Sequence, residues 1–314
     1  MFEKIIKEIE AASRIIIHRH TNPDGDALGS QTGLKLLLKE NYPDKEVLSV
    51  GDTSARYSFI EGSASDEVPD EAYETALAIV LDTSAPQLIS DDRYKTAPRT
   101  ARLDHHIFCE KIADVELTDT SFESCAGLVA ALSKEAGWRL TPLAAKALYT
   151  GMVTDSGRFR YDSTTAATFE RAAYLMSVPF DTSDIYSNLY SDDFEFIRLR
   201  ASFVLKIRFT ENRVAYIYTD EEEMKTISAD TFTVSRGMVN TMGEIRGTSV
   251  WVNFTEQDGK VLAELRSNKY NVNKIAVKYG GGGHLKASGA TLSSRDEAMA
   301  MLADLDALVG GENA

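Results

Sequence analysis

The chain has 314 residues, 43% apolar and 26% charged, which suits a soluble globular protein of about two domains. Lys and Arg total 34 against 48 Asp and Glu, a net charge of −14. That balance argues against a partner such as long nucleic acid, whose affinity comes from many cationic phosphate contacts. It leaves room for a short phosphorylated ligand, because acidic chains bind anions when metal ions cover some of their carboxylates.

The charge is uneven: residues 1–188 hold 19 basic against 30 acidic side chains, and residues 189–314 hold 15 against 18. Cys109 and Cys125 supply neither a disulfide framework nor a zinc spacing, and they fit a reduced, cytoplasmic setting. No stretch approaches the roughly 20 apolar residues of a membrane span. The opening MFEKIIKEIEAASRIII is an amphipathic helix running into a strand, and its acidic residues make it a poor signal peptide.

In chain order, the first half alternates short β-branched runs with helical patterns, as in a mostly parallel sheet with helices on both faces. Arg14–His18 predicts a buried strand, followed by a polar turn and a helix over about Asp26–Glu40. Lys45–Val50 predicts a second strand, and the wholly apolar Leu77–Leu81 a central one. Ala101–Leu103 leads into a further polar turn. Helices follow at about Ser124–Ala136, Pro142–Val153 and Thr165–Ser177, the second opened by Thr141 as N-cap with Pro142 behind it.

Ser187–Arg200 predicts a charged connecting helix, so the boundaries are a first domain over 1–187, a helical linker over 188–204 and a second domain over 205–314. The pattern then changes to a smaller α+β domain. Strands are expected at Ser202–Phe209, Val214–Thr219, Ser249–Phe254 and Val261–Leu265, with a hairpin turn at Gln257-Asp258-Gly259. Helices are expected at about Ser235–Met242, Val272–Lys278 and Arg295–Leu308.

Four acidic or histidine-bearing turns are expected where strands end: His20-Thr-Asn-Pro-Asp24-Gly-Asp26, Asp82-Thr83, Asp104-His105-His106 and Thr154-Asp155-Ser156-Gly157. Ligand sites of open α/β sheets lie at the carboxyl ends of strands, where such loops converge. Each turn alone has an ordinary structural explanation: Pro-Asp-Gly is a general turn signal, and Thr-Asp-Ser-Gly suits a helix end. Together they would gather several carboxylates and imidazoles, which cannot stay ionised side by side without cations. Mixed imidazole and carboxylate donors suit Mn²⁺, Fe²⁺, Co²⁺ or Zn²⁺ better than Ca²⁺. Two metals roughly 3.5–4 Å apart would clamp a phosphoryl group and generate hydroxide at neutral pH.

The four turns resemble the signature motifs of the DHH phosphoesterase superfamily, named for a turn identical to Asp104-His105-His106. The segment GGGGHLKASG at Gly280–Gly289 resembles the signature of the DHHA1 domain. The resemblance covers nearly the whole chain, and its size resembles the NrnA-like nano-RNases, which also dephosphorylate 3′-phosphoadenosine 5′-phosphate (pAp). It implies one metal held by His20, Asp24 and Asp82 and a second by Asp26, Asp82, His105 and Asp155, with Asp82 bridging. It implies two divalent ions, with Mn²⁺ the first expectation and Mg²⁺ or Co²⁺ the alternatives. His106 would contact the phosphoryl group or the departing oxygen, with Asp104 orienting a histidine; His18 falls outside the pattern and reads as a buried strand-end residue.

In the second domain the resemblance implies that Arg266 grips a terminal phosphate and Ser267 donates a hydrogen bond. Gly281, Gly282 and Gly283 would let backbone amides approach the substrate, and His284 would hydrogen-bond phosphate or stack on a base. Arg158 and Arg160 are further phosphate candidates, with Arg236 and Lys286 weaker ones. The activity implied is hydrolysis of nano-RNA of two to five nucleotides to nucleoside 5′-monophosphates, and of pAp to AMP, by a bridging hydroxide. The alternatives are a stand-alone phosphodiesterase of cyclic or linear dinucleotides and, from another class, a non-catalytic nucleotide-binding module. A homodimer is a family-level expectation.

Overall fold

In the computed structural model, which describes residues 1–311, the chain divides into two compact units, Met1–Ser191 and a second that begins at Asp192. The first unit runs α1 (Glu3–Ala11), β1 (Arg14–His18), α2 (Gly25–Asn41), β2 (Glu46–Ser49), β3 (Ala76–Leu81), β4 (Arg99–Asp104) and β5 (Val115–Thr118). Then come α3 (Cys125–Glu135), α4 (Pro142–Asp155), α5 (Ala166–Leu175) and α6 (Thr182–Tyr190). The five strands are all parallel in the order β2-β1-β3-β4-β5. β5 went unpredicted because its four residues are only half-buried and carry no continuous apolar run.

Strand alternation sorts the core. Ile15, Ile17, Leu77, Ile79 and Leu81 point into the main cluster with α1 to α6, whereas Ile16, Ala78 and Val80 meet the opposite layer. That layer is made of short 3-10 helices at Asp70–Thr75 and Asp92–Thr96, which contribute Tyr73 and Tyr94. His18 is buried between these two rings, at 5.7 and 6.0 Å.

α2 crosses α4 at unusually close range. Gly25, Gly29 and Gly33, each four residues apart, put three hydrogens where side chains would stand on one helix face. A Cβ on Gly29 would lie 2.6 Å from the Ala147 carbonyl oxygen and 2.9 Å from the Gly151 nitrogen. Gly151 answers from α4, where a Cβ would stand 2.6 Å from Ala126 and 2.9 Å from an Asp26 carboxylate oxygen. The crossing therefore brings the start of α2 beside the end of α4.

The second unit begins with α7 (Phe194–Lys206), β6 (Arg208–Phe209), β7 (Ala215–Thr219) and α8 (Glu221–Met224). It continues through β8 (Val250–Gln257), β9 (Lys260–Ser267), α9 (Asn273–Lys278), β10 (Gly282–His284), β11 (Ala287–Leu292) and α10 (Arg295–Gly310). Its six-stranded mixed sheet has the order β10-β11-β9-β8-β7-β6, with only β7 and β8 parallel. α9 and α10 cover one core of the sheet; α7 and the segment 233–242 cover another. The β8–β9 hairpin turns on Asp258 and Gly259, both at positive φ as a two-residue I′ turn requires.

Three expectations change here. The strand expected at Ser202–Phe209 is helical up to Lys206, leaving only Arg208–Phe209 as strand, because Leu199 and Phe203 fall on one helical stripe against Met238 and Met242. The single connecting helix expected at Ser187–Arg200 is two helices, since Asp193 caps a new one by accepting from the Phe196 amide at 2.8 Å. The helix expected at Ser235–Met242 is instead a π segment, Thr233–Gly237, followed by a 3-10 turn, Val239–Met242. Among the described residues no helix is long and apolar enough to cross a membrane.

Gly29→Ala is expected to force α2 and α4 apart at a cost of about 2 kcal/mol, lowering Tm by roughly 5 °C. Thermal unfolding followed by circular dichroism measures it, and an unchanged Tm contradicts the close crossing.

Candidate active site

The strand order reverses between β1 and β3, and in sheets of this order ligands bind at that reversal, beyond the carboxyl ends of the strands. His20 follows β1, Asp82 follows β3 and Asp104 ends β4, so the crevice collects all three turns. The first turn of α2 supplies Asp24 and Asp26, and the last residue of α4 is Asp155. A cavity of about 250 Å³ is lined by His20, Asp24, Asp82, His105, His106 and Asp155.

Each side chain is held from behind. Asp24 caps α2, its Oδ1 accepting from the Asp26 and Ala27 amides at 2.9 and 3.0 Å. Asp26 is buried, and its oxygens accept from the Cys125 and Ala126 amides at 2.7 and 2.8 Å. Those amides open α3, so its N-terminal partial positive charge faces a carboxylate. Sequence patterns could not reveal this support, because it uses backbone atoms about a hundred residues away. His20 Nδ1 lies 2.7 Å from the Thr21 carbonyl and His105 Nδ1 3.4 Å from that of Phe122, which leaves both Nε2 atoms to the crevice.

Asp104 lies beneath this layer. It is fully buried, paired through Oδ2 with the equally buried Arg102 at 2.5 Å, and its Oδ1 lies 2.7 Å from His106 Nδ1. Arg102 and Asp104 are two residues apart on one strand and so share a face. The sequence reading overlooked Arg102; an arginine within a buried strand was the available signal.

The donors leave gaps of one size. His105 Nε2 is 3.4 Å from Asp82, 3.4 Å from Asp155 and 3.8 Å from Asp26, and His20 Nε2 is 3.6 Å from Asp82 and 3.9 Å from Asp24. These exceed hydrogen-bond lengths but resemble the separation of two ligands on one small cation. Asp82 Oδ1 is buried without a hydrogen-bond partner, and Asp82 itself holds a strained φ of 50°. Three sets of donor atoms lie mutually within 4.8 Å: His20, Asp24 and Asp82; Asp26, His105 and Asp155; Asp82, His105 and His106. Asp82 belongs to two of these sets and faces His105 of the third, so the residues fit a pair of neighbouring divalent ions.

The electrostatics agree. Burial, with the neighbouring Asp82 and Asp155 charges, pushes Asp26 well up, and burial lifts Asp155 to about 6. Burial opposes charge on His20 and His105, yet their carboxylate neighbours, Asp82 foremost, lift them to about 9 and about 10. The shifts thus favour protonation of the crevice in the absence of cations.

Arg158 and Arg160 lie apart from the cavity lining. Gly157, Arg158 and Phe159 form a run of positive φ beyond Asp155, with the exposed Arg158 stacked 4.4 Å over the Tyr190 ring. Arg160 Nε donates to the Gly157 carbonyl at 3.2 Å.

In the second unit a groove of about 900 Å³ is lined by Arg236, Glu264, Arg266, Gly281, Gly282, Gly283 and His284, among others. β10 and β11 pair across the glycine run, where a Cβ on Gly283 would lie 2.7 Å from the Ala287 carbonyl. Arg266 pairs with Glu264 at 3.1 Å. Ser267 is buried and its hydroxyl is committed to the turn after β9, donating to the Ser249 carbonyl and accepting from the Lys269 and Tyr270 amides. Ser267 and Lys286 are not among the groove's lining residues.

Comparison with known proteins agrees with both units. Residues 14–152 match the DHH family N-terminal domain and residues 214–311 the DHHA1 domain. The chain is 36% identical, over 98% of both lengths, to the bifunctional oligoribonuclease and PAP phosphatase NrnA of Bacillus subtilis (strain 168). It is 32% identical to the Mycoplasma pneumoniae protein of the same name, over 95% of this chain and 94% of that one. Among solved structures, an exopolyphosphatase-related protein from Bacteroides fragilis is 26% identical and superposes with a TM-score of 0.84 over 97% of this chain and 95% of that one.

If His20 and His105 hold a divalent ion their imidazoles must lose protons, so apparent Mn²⁺ affinity is expected to rise with pH up to about pH 10, with proton release. Calorimetry in buffers of different ionisation enthalpy measures it; identical heats in all of them contradict the proton count.

Proposed function

The chain belongs to the DHH family with a DHHA1 domain, and from that premise we propose that it hydrolyses short oligonucleotides to nucleoside 5′-monophosphates and pAp to AMP. The observation that carries this reading is the crevice of His20, Asp24, Asp26, Asp82, His105 and Asp155, with a buried and unpartnered Asp82 oxygen at its centre. The activities named for the relatives from Bacillus subtilis and Mycoplasma pneumoniae support the substrate class.

His20, Asp24 and Asp82 would hold one divalent ion, and Asp26, Asp82, His105 and Asp155 the other. Bound there, such ions supply positive charge against the phosphoryl oxygens and make a nearby water acidic enough to attack. Mn²⁺ suits the mixed nitrogen and oxygen donors, as do Co²⁺ and Mg²⁺ to lesser degrees.

The remaining steps fall to the chain's own groups. The Asp104 carboxylate raises the pKa of His106 and accepts a hydrogen bond from its Nδ1–H, so that Nε2–H of the imidazolium would donate its proton to the departing ribose oxygen as the bond to phosphorus breaks. Burial opposes charge on Asp104, yet His106 first and Arg102 second hold its carboxyl below the usual carboxylate range. In the second unit Arg266 would bind a terminal phosphate, the geometry a guanidinium favours, while the open backbone at Gly281–Gly283 and His284 would contact the rest of the ligand. Arg158 would serve as a supplementary phosphate contact, held ready by its stack on Tyr190.

The test is product analysis with Mn²⁺ over a ladder of short RNAs alongside pAp and cyclic and linear dinucleotides. Release of 5′-monophosphates from the short RNAs is expected; tight binding without turnover in Mn²⁺, Mg²⁺ or Co²⁺ would show a binding module instead. Asp82→Asn is expected to lower kcat by on the order of 10²- to 10³-fold, with metal content falling in step. Arg266→Ala is expected to raise KM roughly 10- to 100-fold for substrates with a terminal phosphate, with kcat nearly unchanged. An unchanged KM removes the grip.

A further inference from the structure

The groove of the second unit holds a residue that phosphate recognition does not use. Phe232 lines it and stays 66% exposed, although burying such a ring elsewhere would be favourable. The Arg236 guanidinium lies over the ring, its carbon 5.3 Å from the centroid. Arg236 is anchored in turn: its Nε donates to Glu264 Oε1 at 3.0 Å, while Glu264 Oε2 accepts from Arg266 at 3.1 Å. One carboxylate thus joins the arginine beside the ring to the arginine assigned to phosphate.

The backbone beneath the ring is equally committed. Thr233–Gly237 follows Phe232 in π-helical form, a geometry that concentrates at functional sites. The buried Asn253 side chain on β8 donates to the Val234 and Ser235 carbonyls at 2.7 and 2.8 Å. Asp230 caps the segment from the other side, accepting from the Thr233 amide at 2.8 Å. An exposed aromatic ring is therefore carried on a pinned backbone and braced on one side by a pinned cation.

We propose that Phe232, braced by Arg236, is a stacking platform for a nucleobase of the substrate. A phosphate and a base on the same ligand would then be read at opposite ends of the Glu264 bridge. Stacking on an aromatic face tolerates every base, so the platform selects nucleotides over base-free phosphoesters without choosing a sequence. The proposal rests on the nucleotide reading of the chain, and its test is made independent of turnover.

Calorimetry on the full-length chain in EDTA compares AMP with ribose 5-phosphate, which lacks the base. The wild type is expected to bind AMP the more tightly. Phe232→Ala is expected to weaken AMP roughly 5- to 100-fold while ribose 5-phosphate binding stays the same. Phe232→Trp is expected to retain AMP binding, and an exposed position predicts the same thermal unfolding for all three proteins. Equal affinity of the wild type for the two ligands, equal losses for both in Phe232→Ala, or no AMP binding at all overturns the platform. Failure of the hydrolytic reading looks different: no turnover with Mn²⁺ while the AMP preference and its loss in Phe232→Ala persist.

Discussion

Asp26, Asp82 and Asp155 share a crevice in which burial strips away the water that would screen them from one another. Two like charges about 4 Å apart repel by about 4 kcal/mol at an effective dielectric of 20, so the arrangement exists only if something opposes it. Part of the answer is local. The N-terminus of α3 gives both Asp26 oxygens an amide hydrogen, and His20 and His105 stand between the carboxylates. The rest is a deficit of positive charge, visible in the upward shifts of Asp26 and Asp155. Carboxylates and imidazoles so placed could hold cations.

The scaffold spends its least forgiving packing on the same problem. Asp26 opens α2 and Asp155 ends α4, and the two meet because glycines on both helices let the backbones nearly touch. Behind the crevice, the buried Arg102–Asp104 pair holds His106 from beneath, an ion pair that tolerates removal of neither partner. The parallel sheet contributes the remaining order: its strand reversal spaces His20 and Asp82 on adjacent strands, with Asp104 on the next.

The second unit meets a different constraint, keeping two cations and an aromatic ring along a groove without letting the ring collapse onto the protein. Glu264 holds Arg236 and Arg266 in a fixed relation, and Asn253 satisfies the carbonyls of an irregular turn. Gly281 and Gly283 meet β11 too closely for side chains, which keeps those points of the groove wall to bare backbone. Rigidity here would limit the entropy lost on binding a flexible nucleotide, the ligand proposed for this groove.

Much of this was legible in the chain itself. The apolar run Leu77–Leu81, the Thr141-Pro142 helix start and the Asp258-Gly259 turn are local signals, and the structure agrees with each. The acidic turns were recognisable because residue type and order suffice to name a donor set. Local signals failed where long-range contact decided the conformation. The apparent strand at Ser202–Phe209 became helix because its apolar residues pack on Met238 and Met242, and the expected helix at Ser235–Met242 became a π turn pinned by Asn253. Sequence alone determined which groups the protein owns and that they alternate with a parallel sheet. Tertiary structure alone decided that Asp26 leans on α3 and that Asn253 pins the turn beneath Phe232. Those facts depend on atoms distant along the chain, and no periodicity records them.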